Sequence, residues 1–175
     1  MSASFRGGLS NAQITFTETP ASGLFNGISQ PYPNQRIQAL FTPGTAADQV
    51  DGVCEMILNL AASTPQTINL LTGLTDLNGT ALTVAHISFL AIKNLSTTDG
   101  QTVLVGNAAS NPFEGFVSGI NTLSIYPSSS QNDGFLVLAA PNMTGIPVNS
   151  TSCNLKFDPG TNAVSVLLVV GTRSV

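Results

Sequence analysis

Gly52-Val53-Cys54-Glu55-Met56-Ile57-Leu58-Asn59-Leu60 alternates: Cys54, Met56, Leu58 and Leu60 share one side, Glu55 and Asn59 the other. A period of two held over nine residues marks a half-buried β-strand, because successive side chains on a strand point to opposite faces. Working outward, further runs of the same kind follow at 66–72 after Pro65, then at 82–95, 101–105, 122–126, 135–139, 152–157 and 163–171, and one precedes it at 36–42. The run 82–95 is ambiguous, since Leu82, Ala85, Phe89 and Ile92 would also share one face of a helix. It is read as a strand that forms a hairpin with Thr102-Val103-Leu104-Val105, and 46–50 is open to a turn of helix.

The punctuation supports strands more firmly than the periodicity does. Asn78-Gly79, Asp99-Gly100, Asp133-Gly134 and Asp158-Pro159-Gly160 each separate two runs. Such pairs supply the positive φ angles of tight reversals. Many short strands at this spacing point to an all-β sandwich or barrel. Val166 to Val170 is apolar at every position, which predicts burial on both faces. Residues 1–34 are rich in Ser, Gly, Asn and Pro, end at Pro31-Tyr32-Pro33 and keep no period beyond a strand-like 14–18. They read as an extended N-terminal arm ahead of a domain at 35–175.

Charge is scarce: five Lys or Arg and nine Asp or Glu in 175 residues. A folded chain of this size exposes about 8,000 Å², so each charge covers about 570 Å², against about 180 Å² at the usual charged fraction. An uncharged surface is readily buried against neighbours, because little ionic desolvation opposes contact. Subunit contacts are expected at the arm, which carries only Arg6 and Glu18, and at the uncharged loops 128–131 and 142–152, rather than on the strands.

The net charge of -4 and the single, scattered Arg6, Arg36, Lys93, Lys156 and Arg173 oppose nucleic-acid binding, which needs clustered cations. No run of about 20 apolar residues exists to span a membrane as a helix. The N-terminus lacks the layout of a secretory signal. The Asn-x-Ser/Thr triplets at Asn78, Asn94, Asn142 and Asn149 are then chance occurrences. Cys54 and Cys153 read as buried reduced thiols, with a disulfide the alternative.

Chemistry is thin. His86 is the sole histidine, and a structural role suits it better than a triad. Asp48, Asp51 and Glu55, with Asp76, form the one acidic grouping; Ca²⁺ would take such oxygens, but solvated side chains are the plainer reading. Phe113 and Phe116 plug a sandwich end or reach a neighbour. Lys93 and Lys156 either anchor an interface or block aberrant strand pairing at an edge. No catalytic, cofactor-binding or metal residue is assigned.

One resemblance adds to this. The stretch Leu74-Thr-Asp-Leu-Asn-Gly-Thr-Ala-Leu-Thr-Val-Ala-His-Ile-Ser-Phe-Leu-Ala-Ile-Lys-Asn-Leu-Ser96 resembles a recurring pattern of small virion structural proteins of tailed bacteriophages. In that pattern an Asp-x-x-Gly turn leads into a long apolar strand ending Ile-Lys-Asn-Leu-Ser. Thr102-Val-Leu-Val-Gly106, Asn111-Pro112-Phe113, Phe135-Leu-Val-Leu-Ala-Ala-Pro141 and a closing strand through Val170-Gly171 are similar to the same layout, so that it covers 51–175. Where the pattern has Pro-Gly-Gly before Phe135, this chain carries the longer Pro127-Ser-Ser-Ser-Gln-Asn-Asp-Gly134.

The resemblance implies a single jelly-roll-like antiparallel β-sandwich with no enzymatic activity and no cofactor. It implies a capsid cement or decoration protein, made in the host cytoplasm and placed on the capsid exterior of the virion. Its expected partners are the major capsid protein and further copies of itself, as a dimer or trimer, with neither nucleic acid nor membrane. A neck, tail or fibre-associated subunit of the same fold is the alternative. A glycan- or receptor-binding module is a distant one, because the chain has no Trp.

Overall fold

The computed structural model describes residues 41–115, 122–129 and 133–175, preceded by the backbone of four two-residue strands. The chain divides into two units, Met1–Phe41 and Thr42–Val175. In the first, β1 (Ala12–Gln13) pairs antiparallel with β4 (Arg36–Ile37), and β2 (Thr17–Glu18) with β3 (Gln30–Pro31). The rest of the expected arm lies outside the described residues.

The second unit is all-β. It begins with β5 (Thr42–Pro43) parallel to β6 (Gln49–Val50). Then follow β7 (Gly52–Leu60), β8 (Gln66–Asn69), β9 (His86–Asn94), β10 (Val103–Val105), β11 (Leu123–Ile125), β12 (Gly134–Ala139), β13 (Ile146–Pro147), β14 (Asn154–Asp158) and β15 (Val164–Arg173). The segment open to helix, 46–50, is a reversal closed by Gln49 N–H donating to the Ala46 carbonyl at 3.2 Å, and it passes directly into β6.

Two antiparallel sheets face each other. One runs β12-β9-β15-β7, with β13 continuing β12 along the same side of β9; the other runs β11-β10-β14-β8. With β12 and β13 counted as a single interrupted strand, β7 to β15 are strands one to eight, and the sheets read 6-3-8-1 and 5-4-7-2. Between them lie Leu58, Leu90, Ile92, Val166, Leu168 and Val170 from the first sheet and Val103, Val105, Ile125, Leu155 and Phe157 from the second, all buried. Full burial of each such side chain is worth about 1.5–3 kcal/mol.

The expected hairpin of 82–95 with 102–105 does not form, because β9 and β10 belong to different sheets. The same holds across Asp133-Gly134 and across Asp158-Pro159-Gly160: β11 and β12 part, and so do β14 and β15. Positive φ at Gly79, Gly100 and Gly160 (82°, 83° and 60°) reverses the chain as expected. A reversal does not decide whether the returning strand pairs beside its predecessor or crosses the core to the other sheet. Here crossing wins, because it brings a second apolar face over the first.

β9 carries one irregularity. Its register against β15 shifts where Phe89 pairs with Gly171 and Ile87 with Thr172. The bulge at Ser88 leaves Ile87 and Leu90, three residues apart, both fully buried. The bulge thus lets two residues three apart share the core face of one strand. The expected two-sided burial of Val166 to Val170 is met on one side: Val166, Leu168 and Val170 are fully buried, whereas Leu167 and Val169 are half-exposed.

Gly134, at the start of β12, is required by proximity rather than by φ. A β-carbon there would stand 1.8 Å from the carbonyl oxygen of Tyr126, and backbone cannot swing aside as a side chain can. Gly134→Ala is expected to destabilise the domain by about 2–3 kcal/mol, read as a lowered urea midpoint at unchanged m-value. A loss under about 0.5 kcal/mol would show that this approach is not fixed.

Candidate functional site

The candidate catalytic and metal residues do not converge. Among the described residues no three His, Cys, Asp or Glu side chains lie close enough together to hold a metal ion. Asp51 is occupied through Oδ2 by the Ser174 hydroxyl and by the Ser174 N–H at 3.1 Å. Asp76 closes its own turn, accepting from Asn78 N–H and Thr80 N–H at 2.8 Å each. The Thr80 amide leads in holding its carboxyl below the usual range, with Asn78 assisting against slight desolvation. His86 Nδ1 lies 3.1 Å from the Val175 oxygen. Cys54 and Cys153 are buried and unpaired with each other. Burial raises the Cys54 thiol, against a lowering contact from the Thr75 amide.

Phe113 is buried in the core; Phe116 lies outside the described residues. Lys93 and Lys156 are not edge charges. β9 is flanked by β12 and β15, and β14 by β10 and β8. Lys93 pairs with Asp133 at 2.8 Å and Lys156 with Asp158 at 3.1 Å. The Asp158 carboxyl is lowered first by the Gly160 amide and then by Lys156. Of the loops expected to touch neighbours, 128–131 is described at Ser128 and Ser129. Ser128 is buried, its hydroxyl donating to the Asn94 carbonyl and accepting from Gly134 N–H.

What the structure does assemble is a surface. On the outer side of the first sheet, the pairing aligns Ile57, Leu167, Lys93 and Phe135 in one row, and Glu55, Val169, Ala91 and Val137 in the next. Ile57 is 59% exposed and Phe135 53%, while Leu167, Val169, Ala91 and Val137 are half-exposed. The outer side of the second sheet is polar by comparison. There Leu104 pairs with Ser124 and Asp158, and Lys156 with Thr67. The back of the first sheet thus carries an apolar patch, interrupted by Lys93 and Glu55 and bordered by the hydrogen-bonded pair Asn59 and Ser165, whereas the back of the second is polar. Alternation alone would put polar groups on both.

No protein-family model and no curated protein matches the chain. The apolar rows were partly visible in the sequence, as the odd members of Val164–Arg173 and as Ile57, but their alignment across four strands depends on register, which the turns did not reveal.

Arg173, one of the singly scattered cations, is fully buried at the end of β15. Its Nη1 donates to the Ala46 carbonyl at 3.1 Å, while Nε and Nη2 have no hydrogen-bond partner among the described residues. The one signal was its place on the same strand, three residues beyond the apolar run Val166 to Val170.

Proposed function

We propose that this chain is a virion structural protein, a capsid cement or decoration subunit. In this role it self-associates and stabilises a phage head by binding across major capsid subunits on the capsid exterior. The observation that carries the reading is the apolar outer face of the β12-β9-β15-β7 sheet, on a chain with 14 formal charges among 175 residues. A face of this kind gains by being covered, and a charge-poor rim adds little desolvation penalty. The strand order 6-3-8-1 over 5-4-7-2, two interleaved Greek keys, supports the jelly-roll-like assignment. It accords with the phage pattern seen at 51–175.

The mechanism is linkage. A subunit that binds the assembled shell and not its dissociated parts stabilises the shell by mass action, by about 2.7 kcal/mol per site at a hundredfold excess over Kd. The apolar character of the contact makes it weakly salt-dependent. Imaging particles that carry this chain tests the reading through position and copy number. Hundreds of copies on the head are expected. Tens or fewer at the neck or tail would favour the tail-associated alternative, and absence from particles would end both.

A further inference from the structure

Each sheet ends in two edge strands, and three of the four edges are blunt. β8 has four residues and β11 three. The outer edge made by β12 and β13 is broken between Ala139 and Ile146 and carries Pro141 and Pro147. β7 differs: it is nine residues long, contains neither Pro nor Lys, and carries Glu55 as its single charge. Among the described residues β7 pairs with β15 alone. Half of its backbone N–H and C=O groups therefore face sideways, and from 53 to 60 none of them has a further backbone partner among those residues. Proteins ordinarily protect such an edge with charge, proline or brevity, because it templates pairing with another strand. Here the middle of the edge is occupied by Ile57, 59% exposed.

We propose that β7 pairs antiparallel with β7 of a second copy about a two-fold axis through Ile57, joining two four-stranded sheets into one of eight. The register follows from burial and charge. The axis must pass through a residue and not between two, since a half-step would set the core face of Met56 and Leu58 against the outer face of the partner subunit. An axis at Glu55 would stack two carboxylates directly, which is unfavourable across a strand pair. An axis at Met56 would oppose each Glu55 to Ile57 of the partner subunit. At Ile57 the two isoleucines cover each other, Glu55 faces Asn59 of the partner subunit, and the two carboxylates stand about 14 Å apart along the strand. Residues 54–60 then pair in full. The row Ile57, Leu167, Lys93, Phe135 continues across the axis into its symmetry mate, doubling the width of the apolar face.

This deepens the self-association in the proposed role, and it is tested on the full chain in isolation. Failure here therefore leaves capsid binding standing, and absence from particles leaves edge pairing standing. Directly opposed residues in an antiparallel pair have Cα atoms about 4.5–5.5 Å apart, within disulfide range. Under mild oxidation Ile57→Cys should give a covalent dimer. Glu55→Cys alone should not, and a mixture of Glu55→Cys with Asn59→Cys should. Ile57→Lys should weaken dimerisation roughly 100-fold, by loss of the isoleucine pair and by like charge at the axis. Circular dichroism should remain that of the wild type, so that monomer formation is not mistaken for unfolding. A wild-type chain that sediments as a monomer up to about 100 µM would overturn the proposal. Self-crosslinking by Glu55→Cys equal to that of Ile57→Cys would overturn it too.

Discussion

Leu168→Asp is expected to abolish folding. Leu168 stands on β15 between Ile92 of β9 and Met56 of β7, and its side chain is fully buried. Removing the leucine forfeits about 2–5 kcal/mol of packing. The carboxylate that replaces it must either remain charged without a partner or take up a proton against its intrinsic pKa. A shift of three units at neutral pH already costs about 4 kcal/mol. Together these approach or exceed the whole stability of an ordinary domain, about 5–15 kcal/mol. The companion substitution Leu167→Asp, one residue away on the half-exposed face, should fold. The pair reads out alternation directly: a cooperative thermal transition for Leu167→Asp and none for Leu168→Asp. Similar transitions for both would mean that β15 is not oriented as described.

That contrast also separates what the sequence discloses from what it withholds. Strand positions are legible because alternation is local: Gly52–Leu60 was delimited to the residue, and β12 and β14 to within one or two. Sheet membership is not local. An Asx-Gly pair fixes a backbone reversal, and the choice between lateral pairing and crossing the core is made by apolar faces far apart in the chain. For the same reason the continuous run Val166 to Val170 was expected to be buried twice. The sandwich supplies one cover, leaving Leu167 and Val169 half-exposed. The excess of apolar character over what the fold buries is the feature on which the proposed assembly rests. Under that proposal the contact moves from the arm and loops, where the sequence pointed, to the strand faces. Charge scarcity alone could not have located it, since Lys93 sits in the middle of the apolar row.

Asn94→Leu is expected to destabilise the domain by about 3–5 kcal/mol although it preserves shape and adds apolar surface. Asn94 looked like a chance glycosylation triplet, but its side chain is fully buried at the end of β9, where no glycan could be attached in the folded state. Its Nδ2 donates to the Gln101 carbonyl at 2.7 Å and to the Ile125 carbonyl at 3.1 Å, and its Oδ1 accepts from Ser96 N–H at 3.0 Å. Ile125 ends β11 in the opposite sheet, so one amide ties the two sheets and the reversal at Asp99-Gly100 together. Leucine would take this partner from the buried Ile125 carbonyl and from the half-buried Gln101 carbonyl and Ser96 N–H, at about 1–3 kcal/mol for a fully buried group and less where water reaches it. The contributions share one network and so add to less than their sum. Urea unfolding followed by circular dichroism measures the loss. A deficit below about 1 kcal/mol would mean that water replaces the amide, and that the sheets are held at this end by the packing of Val103 and Ile125 without its help.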